Sequence, residues 1–234
     1  MRALEKNIRG FNLLELLVVI VIISVISAVA YPNFSSWRKE REVRGAAVEI
    51  KNLFTNISSQ VQRGMYAFVQ VDILESSTED EVGNVTSQAL IITSKGMHMN
   101  TMMANSRDVD NWTTDVDIRC DHDQAWDDEG SPTNKKLEVA QLVYDNIASN
   151  FSGTALRGTV CFSKDGTYYG SALALKTETF FYICGRRSGG NSCSVSDAGV
   201  PDDALVNVFA INWSRFGNIT LEKWSKTKGD WVLQ

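Results

Sequence analysis

The feature that most constrains this chain is an almost wholly apolar run from Leu13 to Ala30, interrupted near its start by one carboxylate, Glu15. Residues 16–34 carry no charge. As a helix, residues 11–31 rise about 30 Å at ~1.5 Å per residue, enough to cross the hydrocarbon core of a bilayer. The run is too long for a cleaved secretory signal. Its nearest small-residue site, Ser27-Ala28-Val29-Ala30, continues into a helical pattern and not into a turn. An anion in such a run costs roughly 2.5–3.5 kcal/mol at a membrane-helix centre and less near an end, so its presence signals a function.

The second constraint lies just upstream. Gly10 precedes Phe11, and Arg2, Lys6 and Arg9 stand before it. A cut after Gly10 leaves a free amine on Phe11, four residues from Glu15. A neighbouring subunit's Phe11 amine meeting this Glu15 would satisfy both charges in lipid. The stretch Gly10-Phe11-Asn12-Leu13-Leu14-Glu15, with the apolar run behind it and Pro32 at its end, closely resembles the type IV prepilin leader and N-terminal helix. The resemblance implies cleavage after Gly10 by a prepilin peptidase, N-methylation of Phe11 and a subunit-assembly role for Glu15. It also implies a helix break at Pro32 that lets the segment bend or melt in a filament; a proline would in any case remove one i to i−4 bond. The implied partners are other pilins or pseudopilins in a hetero-oligomeric filament, an inner-membrane assembly platform and membrane lipid. The implied division is a leader over 1–10, a helix over 11–64 that is transmembrane over 11–31, and a periplasmic or extracellular β-rich head over 65–234. The positive-inside rule does not settle orientation, because Arg38, Lys39, Arg41 and Arg44 follow the run. The leader settles it, since the cut site faces the cytoplasm in the family it resembles.

Beyond Pro32 the apolar pattern changes. Val43, Ala46, Ala47, Ile50, Leu53, Phe54, Ile57 and Val61 recur every three or four residues, which predicts one buried stripe on a helix ending near Gly64. A break into two helices at Pro32 leaves the same stripe. Short branched or alternating runs predict strands at 67–74, 89–93, 158–163, 167–175, 178–184, 205–213 and 218–224, with turns at Asp165-Gly166 and Phe216-Gly217-Asn218. Leu137, Ala140, Val143, Tyr144 and Ile147 predict a second helix over 135–149. Segments 75–88 and 105–134 read as polar loops. The expected fold is α+β and pilin-like: a long N-terminal helix packed on an antiparallel β-sheet head.

Two stretches sharpen the resemblance. Gly158-Thr159-Val160-Cys161-Phe162-Ser163-Lys164-Asp165-Gly166-Thr167 and Val208 to Leu221, with the turn Ser214-Arg215-Phe216-Gly217-Asn218, resemble the GspH/FimT group of minor pilins and pseudopilins. This implies a minor pilin that caps or initiates a filament. A type II secretion pseudopilin has nearly the same sequence features.

Four cysteines lie beyond the apolar run, and no two form a CxxC pair, so disulfides in an oxidising compartment fit better than a zinc site. A Cys184–Cys193 bridge closes a short loop and contributes roughly 2–3 kcal/mol; Cys120 with Cys161 is then the second pair, among three formal connectivities. The acidic loop Asp121-His122-Asp123 to Asp127-Asp128-Glu129 offers oxygen ligands for calcium, but Ala125 and Trp126 occupy positions where an EF-hand needs a ligand and a glycine. No metal or cofactor is expected. Arg186, Arg187 and Arg215, with Trp213, Trp224 and Trp231 interleaved, suggest DNA contact in DNA uptake, a role some members of the resembling group have. The charge argues the other way: the chain carries −5, and without its first ten residues −7. His98 and His122 are the only histidines, and no nucleophile elbow, P-loop or zinc-protease motif occurs, so no enzyme is expected.

Overall fold

The computed structural model describes residues 12–79, 85–99, 137–150, 158–164, 180–186, 193–196, 199–203, 205, 207–214 and 217–234. One helix, α1, runs from Leu13 to Gln62. It ends where the sequence supplies Gly64 at φ 77°, the left-handed conformation only glycine takes without strain. Met65 N–H donates to the Gln60 carbonyl at 3.1 Å and Gly64 N–H to Val61 at 2.9 Å. This pair of bonds is a Schellman cap, which satisfies carbonyls the last turn would leave open. α1 runs through position 32 as one helix.

The chain divides into two units, Met1–Arg41 and Glu42–Gln234. The second holds two antiparallel sheets. A four-stranded sheet has the order β3-β2-β1-β5, with β1 Tyr66–Glu79, β2 Val85–His98, β3 Leu137–Tyr144 and β5 Gly158–Ser163. A five-stranded sheet has the order β4-β6-β7-β8-β9, with β4 Ile147–Ser149, β6 Phe180–Gly185, β7 Phe209–Trp213, β8 Ile219–Ser225 and β9 Asp230–Leu233.

The apolar stripe of α1 is the keel of this unit. Val43, Ala46, Ala47, Ile50, Phe54, Ile57 and Val61 are at most 4% exposed, and Leu53 packs at their edge. They share one core with Val69, Val71, Ile73, Leu90, Ile92, Val160 and Phe162 from the first sheet. From the second sheet come Phe181, Ile183, Phe209, Ile211, Trp213 and Leu221. Phe54 is central, with its ring 5.5 Å from Phe162, 6.1 Å from Phe181 and 6.0 Å from Trp213. Alternation along β7 sends Val208 and Ala210 to the opposite face, where they join Ala148, Tyr182, Cys184, Cys193 and Leu205 in a smaller core.

Two expectations are corrected here. The helix expected over 135–149 is not formed over 137–149, where β3 and β4 occupy 137–144 and 147–149. The spacing of Leu137, Ala140 and Val143 mimics a helical face, but Leu142 and Tyr144 pack inward while Val143 is 55% exposed, which is a strand's period of two. The edge of β2 supplies the ladder, from Leu90 opposite Tyr144 to Gly96 opposite Leu137. The segment 75–88 is likewise not all loop. β1 continues to Glu79 and β2 begins at Val85, with Ser76 opposite Ala89, Ser77 opposite Gln88 and Thr78 opposite Ser87. Ladder bonds are made by the backbone, so a polar stretch extends a hairpin without any apolar signal. The strands expected at 158–163, 178–184, 205–213 and 218–224 have counterparts in β5 to β8. β9 was not expected, and 167–175, Asp165-Gly166 and 105–134 lie outside the described residues.

Candidate assembly site

α1 is entered through Asn12. Its side-chain Oδ1 accepts from Leu14 N–H at 3.4 Å, and its carbonyl accepts from Leu16 N–H at 3.2 Å. Asn12 thus caps the helix, and Glu15 falls in the first turn, where the helix dipole favours an anion. Every side chain from Asn12 to Ser27 is exposed, and the large apolar ones between Leu13 and Ile26 are 45–81% exposed. Ser24 does not break this surface, because its hydroxyl donates to the Ile20 carbonyl at 2.8 Å. The site is therefore a rod, apolar all round, with one anion at its tip. Such a surface has no single face for a sheet to cover. It is satisfied only by lipid or by other rods. Among the described residues no helix is long and apolar enough to cross a membrane. Gly10 and Phe11 lie outside the described residues.

In the second unit, Cys184 and Cys193 form a disulfide that ties the end of β6 to the segment entering the smaller core. Cys193 N–H donates to the Ser149 carbonyl at 3.0 Å, so the bridge is held onto β4 as well. Cys161, buried in β5, is disulfide-bonded, and Cys120 lies outside the described residues.

Arg186 turns inward. Its guanidinium donates to Gln88 Oε1 at 2.6 Å and to the Ile147 carbonyl at 2.8 Å, and sits 3.7 Å from Glu75. Both charged side chains are nearly covered, at 11% and 9% exposure. Glu75 also accepts from Ser149 N–H. Burial pushes the Glu75 carboxyl above its ordinary value, while the Ser149 bond and the Arg186 charge pull it back. This polar cluster joins β1 and β2 to β4 and the end of β6, across the two sheets. A phosphate would have to break these bonds to reach Arg186. Arg187 and Arg215 lie outside the described residues. The tryptophans expected beside them pack internally: Trp213 is 4% exposed, Trp224 and Trp231 meet edge to face at 5.3 Å, and Trp231 stacks on Tyr182 at 5.3 Å. Lys223, Lys226 and Lys228 line a groove of about 450 Å³ beside Leu205, Val208 and Trp224. Lys226 Nζ donates to the Asp203 carbonyl at 2.7 Å. The acidic loop 121–129 is outside the described residues, and among those described no three acidic, histidine or cysteine side chains gather as a metal site.

Sequence reasoning missed the Glu75–Arg186–Gln88 cluster, because a lone glutamate and arginine 111 positions apart in a chain carry no pairing signal. It also missed two polar ties onto α1. Tyr144 OH donates to Glu49 at 2.8 Å, and Asn146 Nδ2 to Glu42 at 2.8 Å. Burial, then the bond to Glu49 and its charge, hold the Tyr144 hydroxyl well above its ordinary range.

No curated protein and no solved structure matches the chain. Residues 6–31 match the family model described as the prokaryotic N-terminal methylation motif. That motif spans the Gly10–Phe11 junction, Glu15 and the exposed apolar rod, and it implies processing by prepilin peptidase, assembly with other pilins and an inner-membrane anchor. Over residues 6–31 the chain carries the type IV prepilin signature.

Proposed function

We propose that this chain is a minor type IV pilin, cleaved after Gly10, N-methylated on Phe11 and assembled at the tip or in the initiation complex of a pilus. The observation that carries the reading is the bare apolar rod of α1 with Glu15 in its first turn. Before assembly the rod is stored in the inner membrane, transmembrane over 11–31 with the head in the periplasm. In the filament it packs among the rods of other subunits. Glu15 then meets the Phe11 amine of a neighbour, and the pair fixes the axial step between subunits. Pro32 gives the rod a place to bend under packing. The minor role rests on the GspH/FimT resemblance of the stretches that contain β5, β7 and β8. The same assembly chemistry serves a type II secretion pseudopilus, and the filament that contains the chain decides between them. Cys120 with Cys161 is proposed as the second disulfide, given that Cys161 is bonded and Cys184 is bonded to Cys193. DNA contact through Arg187 and Arg215 is a weaker reading, since Arg186 is committed to Glu75.

The test is incorporation of Glu15→Ala into sheared filaments. An unpaired amine left in an apolar core costs roughly 2.5–3.5 kcal/mol. Incorporation should therefore fall on the order of a hundredfold, with the membrane pool of cleaved protein unchanged. Normal incorporation of Glu15→Ala would contradict the proposed pairing.

A further inference from the structure

Beyond the apolar run, α1 carries a second exposed cluster of different chemistry. Phe34 and Trp37 are 59% and 49% exposed, with ring centroids 5.8 Å apart. The Arg41 guanidinium lies 4.8 Å over the Trp37 ring. Positions 34, 37, 38 and 41 recur at helical spacing, so Arg38 lies on the same stripe as the two aromatic rings and Arg41. Glu40 is the one anion between Trp37 and Arg41, against three cations, Arg38, Lys39 and Arg41. An exposed pair of large aromatic rings under an arginine is unusual on a water-facing helix, where such rings would ordinarily be buried.

The position of the cluster says what covers it. From Leu13, the helix rises about 32 Å to Phe34 and about 36 Å to Trp37 at ~1.5 Å per residue. A bilayer has a hydrocarbon core of ~30 Å and measures ~40–45 Å with its headgroup layers. With Leu13 at one boundary of the core, Phe34 reaches the other boundary and Trp37 enters the headgroup layer. Arg41 starts farther out, but helical side chains lean toward the N-terminus, and its guanidinium lies back at the level of Trp37. Aromatic rings with one polar edge favour this layer, and an arginine there faces lipid phosphates.

We infer that Phe34, Trp37, Arg38 and Arg41 form a headgroup-level belt that binds the phosphate of an anionic phospholipid in the periplasmic leaflet. The inference rests on the membrane-stored state proposed above. The rings fix the depth of the helix, and the two guanidinium groups take the phosphate, with Trp37 supporting Arg41 by cation–π contact. A belt at this end also holds Glu15 at the opposite boundary, where a neighbour's amine is to meet it.

The full chain is reconstituted into vesicles of phosphatidylcholine with phosphatidylglycerol, and vesicle flotation establishes insertion. The Trp37 signal is the fluorescence difference between the parent chain and Trp37→Phe. It is then quenched with phosphatidylglycerol or phosphatidylcholine brominated close to the headgroup. The expected result is strong quenching of that signal, about twofold greater for the anionic lipid. In Arg38→Gln/Arg41→Gln the quenching persists and the preference disappears. Equal quenching by both lipids in the parent chain would overturn the phosphate site. Absence of quenching in a chain that floats would overturn the belt, and would point to a protein partner on these rings. A chain that does not float removes the membrane-stored state itself.

Discussion

The two halves of α1 are both rich in apolar residues and meet opposite fates. From Leu13 to Ile26 apolar side chains surround the helix and stay 45–81% exposed. From Val43 to Val61 most keep to one stripe and fall to 4% exposure or less, with Leu53 at its margin and only Val48, at 39%, turned outward. The difference is one of pattern more than of composition. A stripe can be covered by the chain's own sheets, so the second half is finished on folding. An all-round apolar surface cannot, so the first half is finished only by lipid or by other subunits. On the proposed function, stability of the head and competence for assembly lie in separate stretches of one helix, and substitutions should separate them.

The largest separation is expected at Phe54. Phe54→Ala removes the ring that touches both sheets and should cost about 3–5 kcal/mol of head stability, read by denaturant unfolding of the detergent-solubilised chain under near-UV circular dichroism. Leu17→Ala, on the bare half at 56% exposure, should stay within about 0.5 kcal/mol in the same assay. A large loss from Leu17→Ala would erase the contrast.

Arg186→Met should come next, at about 3 kcal/mol at neutral pH, because it leaves the Glu75 charge buried without its cation. Burial already raises the Glu75 carboxyl above its unfolded value. The folded head therefore binds this proton more readily than the unfolded chain, so Glu75 weakens the head as pH rises from the unfolded value through the folded one. Losing Arg186 raises the folded value further. The deficit of Arg186→Met should shrink on acidification below that value, where Glu75 is neutral, and a pH series of unfolding curves checks it. A deficit independent of pH would mean that packing, not charge, is what Arg186 supplies.

Replacing Cys184 and Cys193 together by serine should cost roughly 2–3 kcal/mol, read the same way, with α1 helicity retained in far-UV spectra. The smallest effect is expected at Tyr144→Phe. It removes the bond to Glu49 at 2.8 Å and should cost about 0.5–1.5 kcal/mol.

How much of this was legible in the sequence follows the same contrast. The rod, Glu15 and the stripe from Val43 to Val61 were readable because helical periodicity is local and α1 is long. Gly64 was readable as a stop because glycine readily takes the left-handed conformation of a helix cap, and its φ is 77°. Residues 137–144 were misread because Leu137, Ala140 and Val143 fit a helix locally, while the partner that makes them a strand is β2, more than forty residues upstream. The polar ends of β1 and β2 were missed for the same reason, since Ser76 to Thr78 pair by backbone alone. Arg186 looked available for DNA because the sequence lists its charge and not the Glu75 carboxylate beside it.

Processing and assembly are the central steps of the proposed function. The direct measurement is intact mass and N-terminal sequence of the protein recovered from sheared filaments and from membranes. The account predicts a species in the sheared fraction that begins at N-methylated Phe11. A chain that still begins at Met1 and is found only in membranes would contradict it.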